Sequence, residues 1–121
     1  QYHTLKPLVP DCSVVLSVLA NVSSSNADEV KEAFRTGTPY LRARTDGLQF
    51  LPRDKCGLKQ LDTALDRLAL AAPQIKKNLI EACVHVVGAD GVIQEREAEL
   101  LRAIADTLDC PIPPFVEIAE S

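Results

Sequence analysis

The sequence contains no methionine and no tryptophan, and only 4% of its residues are aromatic. Leucine, alanine, valine and isoleucine must therefore fill most of the core, which is typical of tightly packed helices. With so few aromatic rings, the chain has little of the stacking surface that binders of single-stranded nucleic acid use. Because no methionine stands at or after Gln1, we expect a piece of a longer protein or a processed product.

Long hydrophobic runs are also missing, since none approaches the length of about 18 residues that a transmembrane helix requires. The longest candidate, residues 14–22, is interrupted by Ser17 and Asn21. We therefore expect a soluble segment that does not insert into a membrane. The length of 121 residues suits a single domain, which is long enough to bury about two thirds of its unfolded surface.

Clustered basic residues are scarce, and the net charge is -4 at pH 7. Residues 1–56 carry seven basic and six acidic side chains, whereas residues 57–121 carry six basic and eleven acidic ones. The acidic second part argues against a nucleic-acid partner, because such binding depends on clustered lysine and arginine. The basic concentration in the first part is interpreted as a solvated face, and it comprises Arg42, Arg44, Arg53, Lys55 and Lys59.

The cysteines offer no zinc site, because they form no Cys-x-x-Cys pair and have no histidine at zinc-finger spacing. They are Cys12, Cys56, Cys83 and Cys110. Apolar sequence such as Ala82-Cys83-Val84 surrounds them, and no secretory signal is visible. We therefore expect buried, reduced thiols in the cytosol rather than disulfides.

Catalytic motifs are absent from the sequence as well. A zinc peptidase helix needs His-Glu-x-x-His, and neither His3 nor His85 has that setting. Glu81 and His85 stand four residues apart, and we interpret them as a structural contact on one helix. No nucleophile elbow, phosphate loop or dinucleotide fingerprint is present. We expect that this chain is not an enzyme and holds no cofactor.

The sequence is rich in helical periodicity. Three segments have apolar residues at intervals of three and four, which is one face of a helix, and they are residues 58–72, 75–86 and 100–108. Residues 12–22 are apolar nearly all round, which predicts a central helix. Asn26 and Glu29 have the spacing of a capping box before another helix that ends near Gly37. The prediction is an all-α fold, a compact bundle of about five to six helices.

Prolines mark the predicted boundaries of this bundle. Residues 1–10 are interrupted by proline and are expected to form an extended lead-in, closed by Asp11 as the cap of the first helix. Residues 11–110 are predicted to form a single helical domain. Residues 111–121 begin with closely spaced prolines and are predicted to be a Pro-rich extended tail.

The most informative stretch is Ala89-Asp90-Gly91, which separates an apolar helix from an acidic one. Gly91 is expected to take a positive φ, and Asp90 is expected to hydrogen-bond its own turn. Glu97 then falls in the first turn of the last helix, where a carboxylate favours the positive end of the helix dipole. This pattern predicts a helical hairpin.

The same stretch is comparable with a calcium loop, in which Asp90, Gly91 and Glu97 would occupy the fifth, sixth and twelfth places. The first and third places would be Val86 and Gly88, which supply no side-chain oxygen. A calcium site is therefore not favoured, and Asp90 and Glu97 are retained only as candidate metal ligands. The residues that we expect to mediate contacts with a partner are Asp90, Gly91, Glu95, Glu97 and Glu99.

Five segments of the second half carry a family resemblance: residues 61–68, 71–83, 89–91, 97–105 and 108–114. Together they resemble the C-terminal region of bacterial membrane-bound zinc metallopeptidases of the HtpX and CAAX-protease type. The hairpin within them is also similar to TerB-like domains, the helical modules named from tellurite-resistance proteins. Related tails often place threonine or serine before the last helix, whereas Gln94 stands here. Glutamine is a weaker helix cap than either of them.

The resemblance implies a function that the residues alone do not. The parent would be a zinc endopeptidase of the bacterial inner membrane, with its zinc site and transmembrane helices upstream of this segment. The segment would be its non-catalytic accessory domain on the cytoplasmic side, in contact with the peptidase domain or another protein. The alternative is a TerB-like stress-response or metal-sensing module, in which a cation is collected by Asp90, Glu95, Glu97 and Glu99.

Overall fold

The computed structural model describes residues 1–112, and α-helices form most of them. The five α-helices are α1 (Val9–Ser23), α2 (Ala27–Gly37), α3 (Leu58–Leu68), α4 (Pro73–Val87) and α5 (Glu95–Thr107). Three short 3-10 segments occur at Lys6–Leu8, Thr38–Leu41 and Arg53–Lys55. The predicted all-α bundle is confirmed over the described part of the chain.

Helix α1 lies at the centre of the bundle and contacts each of the other four α-helices. Three of its buried residues, Asp11, Ser13 and Ser17, are polar. The two serines each accept a backbone N–H from the connector that precedes α3. The N–H of Gln49 donates to Ser13 Oγ at 3.1 Å, and the N–H of Leu51 donates to Ser17 Oγ at 2.9 Å. These hydrogen bonds fix the connector against the central helix.

Helices α2 and α4 approach each other closely at Gly37. A Cβ atom added to Gly37 would collide with the Val86 side chain and would lie 2.6 Å from the carbonyl oxygen of Ala82. The absence of a side chain at Gly37 therefore allows the end of α2 to lie close against the C-terminal half of α4. This contact also positions the groove described below.

The N-terminal lead-in is less extended than the sequence analysis predicts for residues 1–10. Lys6–Leu8 forms a 3-10 turn, and α1 starts early enough for Pro10 to occupy its second position. A proline is tolerated there because its missing N–H would have no partner in the helix. Asp11 consequently lies inside the first turn and does not cap it, and Asp11 Oδ2 instead accepts a hydrogen bond from Arg67 Nε at 2.9 Å.

The C-terminal tail, predicted over residues 111–121, lies almost wholly outside the described residues. Its first two residues, Pro111 and Ile112, are described and are not helical. Among the helices of the described part, none combines the length and the apolar character that crossing a membrane requires.

Three of the four cysteines are buried, as predicted. Cys12, Cys56 and Cys83 are buried, Cys110 is half-buried, and all four are free thiols. Burial raises the pKa of Cys12 to about 12 and raises the pKa of Cys83 well above its ordinary value. Because the thiolate is the reactive form, these two thiols are chemically inert at neutral pH.

Candidate functional site

The turn between α4 and α5 has the predicted backbone geometry. Gly91 has a φ of 86°, and its N–H donates to the carbonyl oxygen of Gly88 at 2.9 Å. The N–H of Val92 donates to Asp90 Oδ1 at 3.0 Å, so the Asp90 side chain holds its own turn. Both sequence predictions for this turn are confirmed.

Glu97 lies in the first turn of α5, as predicted, but its side chain is only 1% exposed. The backbone N–H of Gln94 donates to Glu97 Oε1 at 3.3 Å, which is the reciprocal half of a capping box. Glu97 therefore supplies the cap hydrogen bond at the point where Gln94 is a weak cap. Glu97 Oε2 has no hydrogen-bond partner among the described residues.

Burial is the main reason why the pKa of Glu97 is raised above its ordinary value. The N–H of Gln94 acts in the opposite direction, the negative charge of Asp90 raises the pKa further, and the positive charge of Arg96 lowers it. A carboxyl group in these surroundings binds a proton more readily than a solvated one.

The burial of Glu97 was missed by the sequence analysis, although a signal for it exists. Glu97 precedes Leu101 by four residues, and Leu101 is followed at helical intervals by Ile104 and Leu108, all of them buried. This spacing places Glu97 on the apolar face of α5. Because glutamate is charged, Glu97 is instead predicted from the sequence to mediate contacts at the surface.

The five residues predicted to mediate contacts do not share one surface. Asp90, Gly91, Glu95 and Glu99 are exposed, whereas Glu97 is buried and does not contribute to that surface. Successive helix residues are rotated by roughly 100°, so Glu95 and Glu99 share a face that is nearly opposite to Glu97. In residues 1–112 there is no group of three or more His, Cys, Asp or Glu side chains arranged to hold a metal ion.

Asp90 instead faces a groove of about 190 Å³ between α2 and the end of α4, which we name the acidic groove. Its carboxylate and hydroxyl lining comprises Ser23, Ser24, Glu29, Glu32 and Asp90, and its apolar lining comprises Ala33, Val86, Val87 and Ala89. Among the described residues that line it, none is basic. Ser24 Oγ donates to Glu29 Oε2 at 2.8 Å, which orients that carboxylate.

The position of Glu29 in the acidic groove follows from the start of α2. Asn26 caps this helix, as its sequence predicts, because Asn26 Oδ1 accepts the N–H groups of Asp28 at 3.0 Å and Glu29 at 3.1 Å. The cap fixes the first turn, and Glu32 follows three residues after Glu29, on the same side of the helix. Gly37 allows the end of α2 to lie close against α4, and both carboxylates line the same groove as Asp90.

The basic residues concentrated between positions 42 and 59 are exposed, and some of them have polar partners. Arg42 pairs with Glu81 at 2.7 Å, while Arg53 Nη2 donates to the carbonyl oxygen of Asn21 at 2.6 Å. Their exposure agrees with the interpretation as a solvated face.

Glu81 and His85 belong to a structural cluster on α4. The His85 ring packs edge-on against Tyr40, with ring centroids 3.6 Å apart and an interplanar angle of 78°. Burial lowers the pKa of His85, and the neighbouring Glu81 charge acts in the opposite direction. Glu81 also pairs with Arg42 at 2.7 Å, so these side chains contribute to packing and electrostatics on α4.

Comparison with known families gives a match that covers most of the chain. The model of the family described as "Tellurite resistance protein TerB" matches residues 14–119, which include most of α1 and all of the other α-helices. No curated protein and no solved structure matches the chain. The TerB part of the resemblance is thereby confirmed, whereas the resemblance to peptidase tails stays a prediction.

Proposed function

We propose that this chain, which belongs to the TerB family of helical modules linked to tellurite resistance, is a non-catalytic module that binds a cationic segment of a protein partner in its acidic groove. The observation that carries the proposal is the convergence of Glu29, Glu32 and Asp90 on one groove whose described lining includes no basic residue. Carboxylates grouped in this way attract lysine and arginine side chains and form charge-assisted hydrogen bonds with them.

The groove is held by contacts that do not depend on a ligand. Ser24 orients the Glu29 carboxylate, and the turn that carries Asp90 is closed by a hydrogen bond to Val92. Groups that are positioned before binding lose less conformational freedom when a partner arrives. The apolar lining contributed by α4 adds a surface on which the methylene stem of a lysine or arginine side chain can pack.

Binding of a labelled lysine-rich peptide, followed by fluorescence anisotropy, tests this function. The substitutions Glu32→Gln and Asp90→Asn remove charge, and asparagine keeps the side-chain oxygen that holds the turn at position 90. Asp62→Asn is the matched control, because Asp62 is exposed on α3 and is not among the groove-lining residues. We expect weaker binding for the two groove variants only, and equal losses in all three variants would refute a groove-specific interaction.

The parent that we propose for this module is a membrane-bound zinc endopeptidase, and the module would contact its peptidase domain. The support is the sequence resemblance over residues 57–115. The sequence encoded upstream of Gln1 tests this parent, since it is expected to contain His-Glu-x-x-His near apolar spans. Another kind of upstream domain would refute the proposal of a peptidase parent but would not affect the proposed binding function of this module.

A second candidate function is metal sensing, and the observation that favours it is the Glu97 Oε2 atom without a hydrogen-bond partner. In this alternative Asp90 and Glu97 hold the cation, while Glu95 and Glu99 remain in solvent. Two carboxylates are few ligands for calcium, which takes six to eight oxygen atoms. Calorimetric titration with calcium, magnesium and zinc tests the alternative. If the module senses metal, binding heat and thermal stabilisation are expected for the unmodified chain and are expected to be lost in Glu97→Gln. An absence of both in the unmodified chain would refute metal sensing.

A further inference from the structure

A second groove, which we name the basic groove, shares Ser24 with the acidic groove but has the opposite charge. Its volume is about 630 Å³, within the range of about 300–1,000 Å³ that ligand pockets usually have. Arg53 and Arg96 line it, and none of the described residues that line it is acidic. The net charge of the chain is -4. A concave surface with two arginines and no acidic side chain among its described lining residues therefore differs in charge from the chain as a whole.

The two arginines are available to an anionic ligand. Four ion pairs occur among the described residues, and neither Arg53 nor Arg96 belongs to any of them. Arg53 is anchored by its hydrogen bond to the carbonyl oxygen of Asn21 at 2.6 Å. A guanidinium has five N–H donors in a rigid fork, so an anchored arginine keeps donors for a carboxylate.

The remaining lining gives the basic groove an apolar side. Leu58, at the first position of α3, is 75% exposed, and Val18 and Val22 of α1 line the same groove. Burial of such a leucine side chain by a ligand removes apolar surface from water, which favours binding. The groove therefore combines two positive charges with aliphatic side chains.

We propose that the basic groove binds a short acidic peptide segment with aliphatic side chains, supplied by a protein partner. The carboxylates of the peptide pair with Arg53 and Arg96, and an aliphatic side chain between them packs on Leu58. Nucleic acid does not suit this surface, because none of the described residues that line it is aromatic and the chain is acidic. A lipid surface usually requires a denser group of basic residues.

This proposal is independent of the function proposed for the acidic groove, because the ligand has the opposite charge. The test uses the full chain and a labelled peptide of alternating glutamate and leucine, and fluorescence anisotropy measures the affinity. Two comparison peptides replace every glutamate by lysine or every leucine by serine. Circular dichroism checks that each protein variant is folded.

We expect the double substitution Arg53→Gln and Arg96→Gln to weaken binding at least about tenfold, the loss that follows when charged hydrogen bonds are removed. Leu58→Ser is expected to weaken binding about fivefold, and the serine-containing peptide is expected to bind more weakly than its leucine counterpart. Arg102→Gln is the matched control, because Arg102 is exposed on α5 and does not line the groove. We expect this control to bind like the unmodified chain.

Three results would overturn the proposal. The first is an absence of saturable binding at peptide concentrations up to about 1 mM. The second is an equal loss in Arg102→Gln and in the double variant, because the effect would then report overall charge. The third is tighter binding of a single-stranded oligonucleotide than of the peptide, lost in the same double variant, which would assign the groove to nucleic acid.

Discussion

Asp90 and Glu97 hold opposite ends of the turn between α4 and α5. Asp90 Oδ1 accepts the N–H of Val92 at 3.0 Å, and Glu97 Oε1 accepts the N–H of Gln94 at 3.3 Å. The two carboxylates that a calcium-loop comparison would make metal ligands thus each stabilise local backbone. This division leaves the exposed Asp90 carboxylate as a contributor to the acidic groove and Glu97 as a buried structural group.

The stability of the fold is expected to depend on pH through Glu97. The pKa of Glu97 in the folded state is raised above its ordinary value of 4.5. Protonated Glu97 therefore favours the folded state at pH values below the unfolded pKa. This contribution is lost as the pH rises through the folded pKa, because the buried carboxyl group must then ionise. Glu97→Gln removes the ionised form and keeps an oxygen for the Gln94 N–H. Urea unfolding is expected to show that the variant gains stability relative to the unmodified chain as the pH rises above the ordinary Glu97 pKa of 4.5. A stability difference that does not change with pH would contradict this assignment.

The close approach of α2 and α4 makes Gly37 sensitive to substitution. Gly37→Ala is expected to destabilise the fold by about 1–3 kcal/mol, because the added methyl group must displace Val86 or the α4 backbone. Gly57→Ala is the control, since its added Cβ would meet only the side-chain oxygen of Gln60, at 3.1 Å. Thermal and urea unfolding measure both variants, and equal losses would show that helix contact is not the cause.

The connector before α3 is expected to depend on Ser17. Ser17→Ala leaves the N–H of Leu51 without its partner, which costs about 1–3 kcal/mol when the group is buried. Ser25→Ala is a suitable control because Ser25 is exposed, and its expected effect is within about 0.5 kcal/mol. Urea unfolding measures the difference, and a Ser17 variant as stable as the control would contradict a role for this hydrogen bond.

The absence of catalysis is a prediction of the proposed function. A pure preparation of the full chain is expected to hydrolyse no peptide substrate, with or without added zinc, because its two histidines do not form a His-Glu-x-x-His motif. A fluorogenic peptide assay measures this. Zinc-dependent hydrolysis that a chelator abolishes and that co-purifies with the chain would show that the module is itself an enzyme.

Local features of the fold were predictable because short-range chemistry determines them. Asn26 caps α2, Gly91 takes a positive φ, and Asp90 closes its own turn, as their sequence spacing indicates. The residues that produced these predictions are also the residues that make the contacts. Helical periodicity likewise identified the α-helices, although not all of their ends.

Features that depend on distant contacts were not predictable in the same way. Asp11 was expected to cap α1, but its carboxylate binds Arg67 of α3, and no local pattern relates these two positions. The acidic groove likewise joins residues that are far apart in the sequence, because Glu29 and Glu32 of α2 line it together with Asp90. Sequence spacing showed a group of acidic residues around this turn but not which of them share a surface.

The most direct test of the central claim is amide chemical-shift mapping by NMR while the full chain is titrated with a lysine-rich peptide. We expect saturable shifts centred on Ser24, Glu29, Glu32 and Asp90, which weaken at high salt because the contacts are between exposed charges. The same titration of Asp90→Asn should require a higher peptide concentration to saturate. Shifts confined to another surface, or none at all, would contradict the assignment of the acidic groove as a binding site.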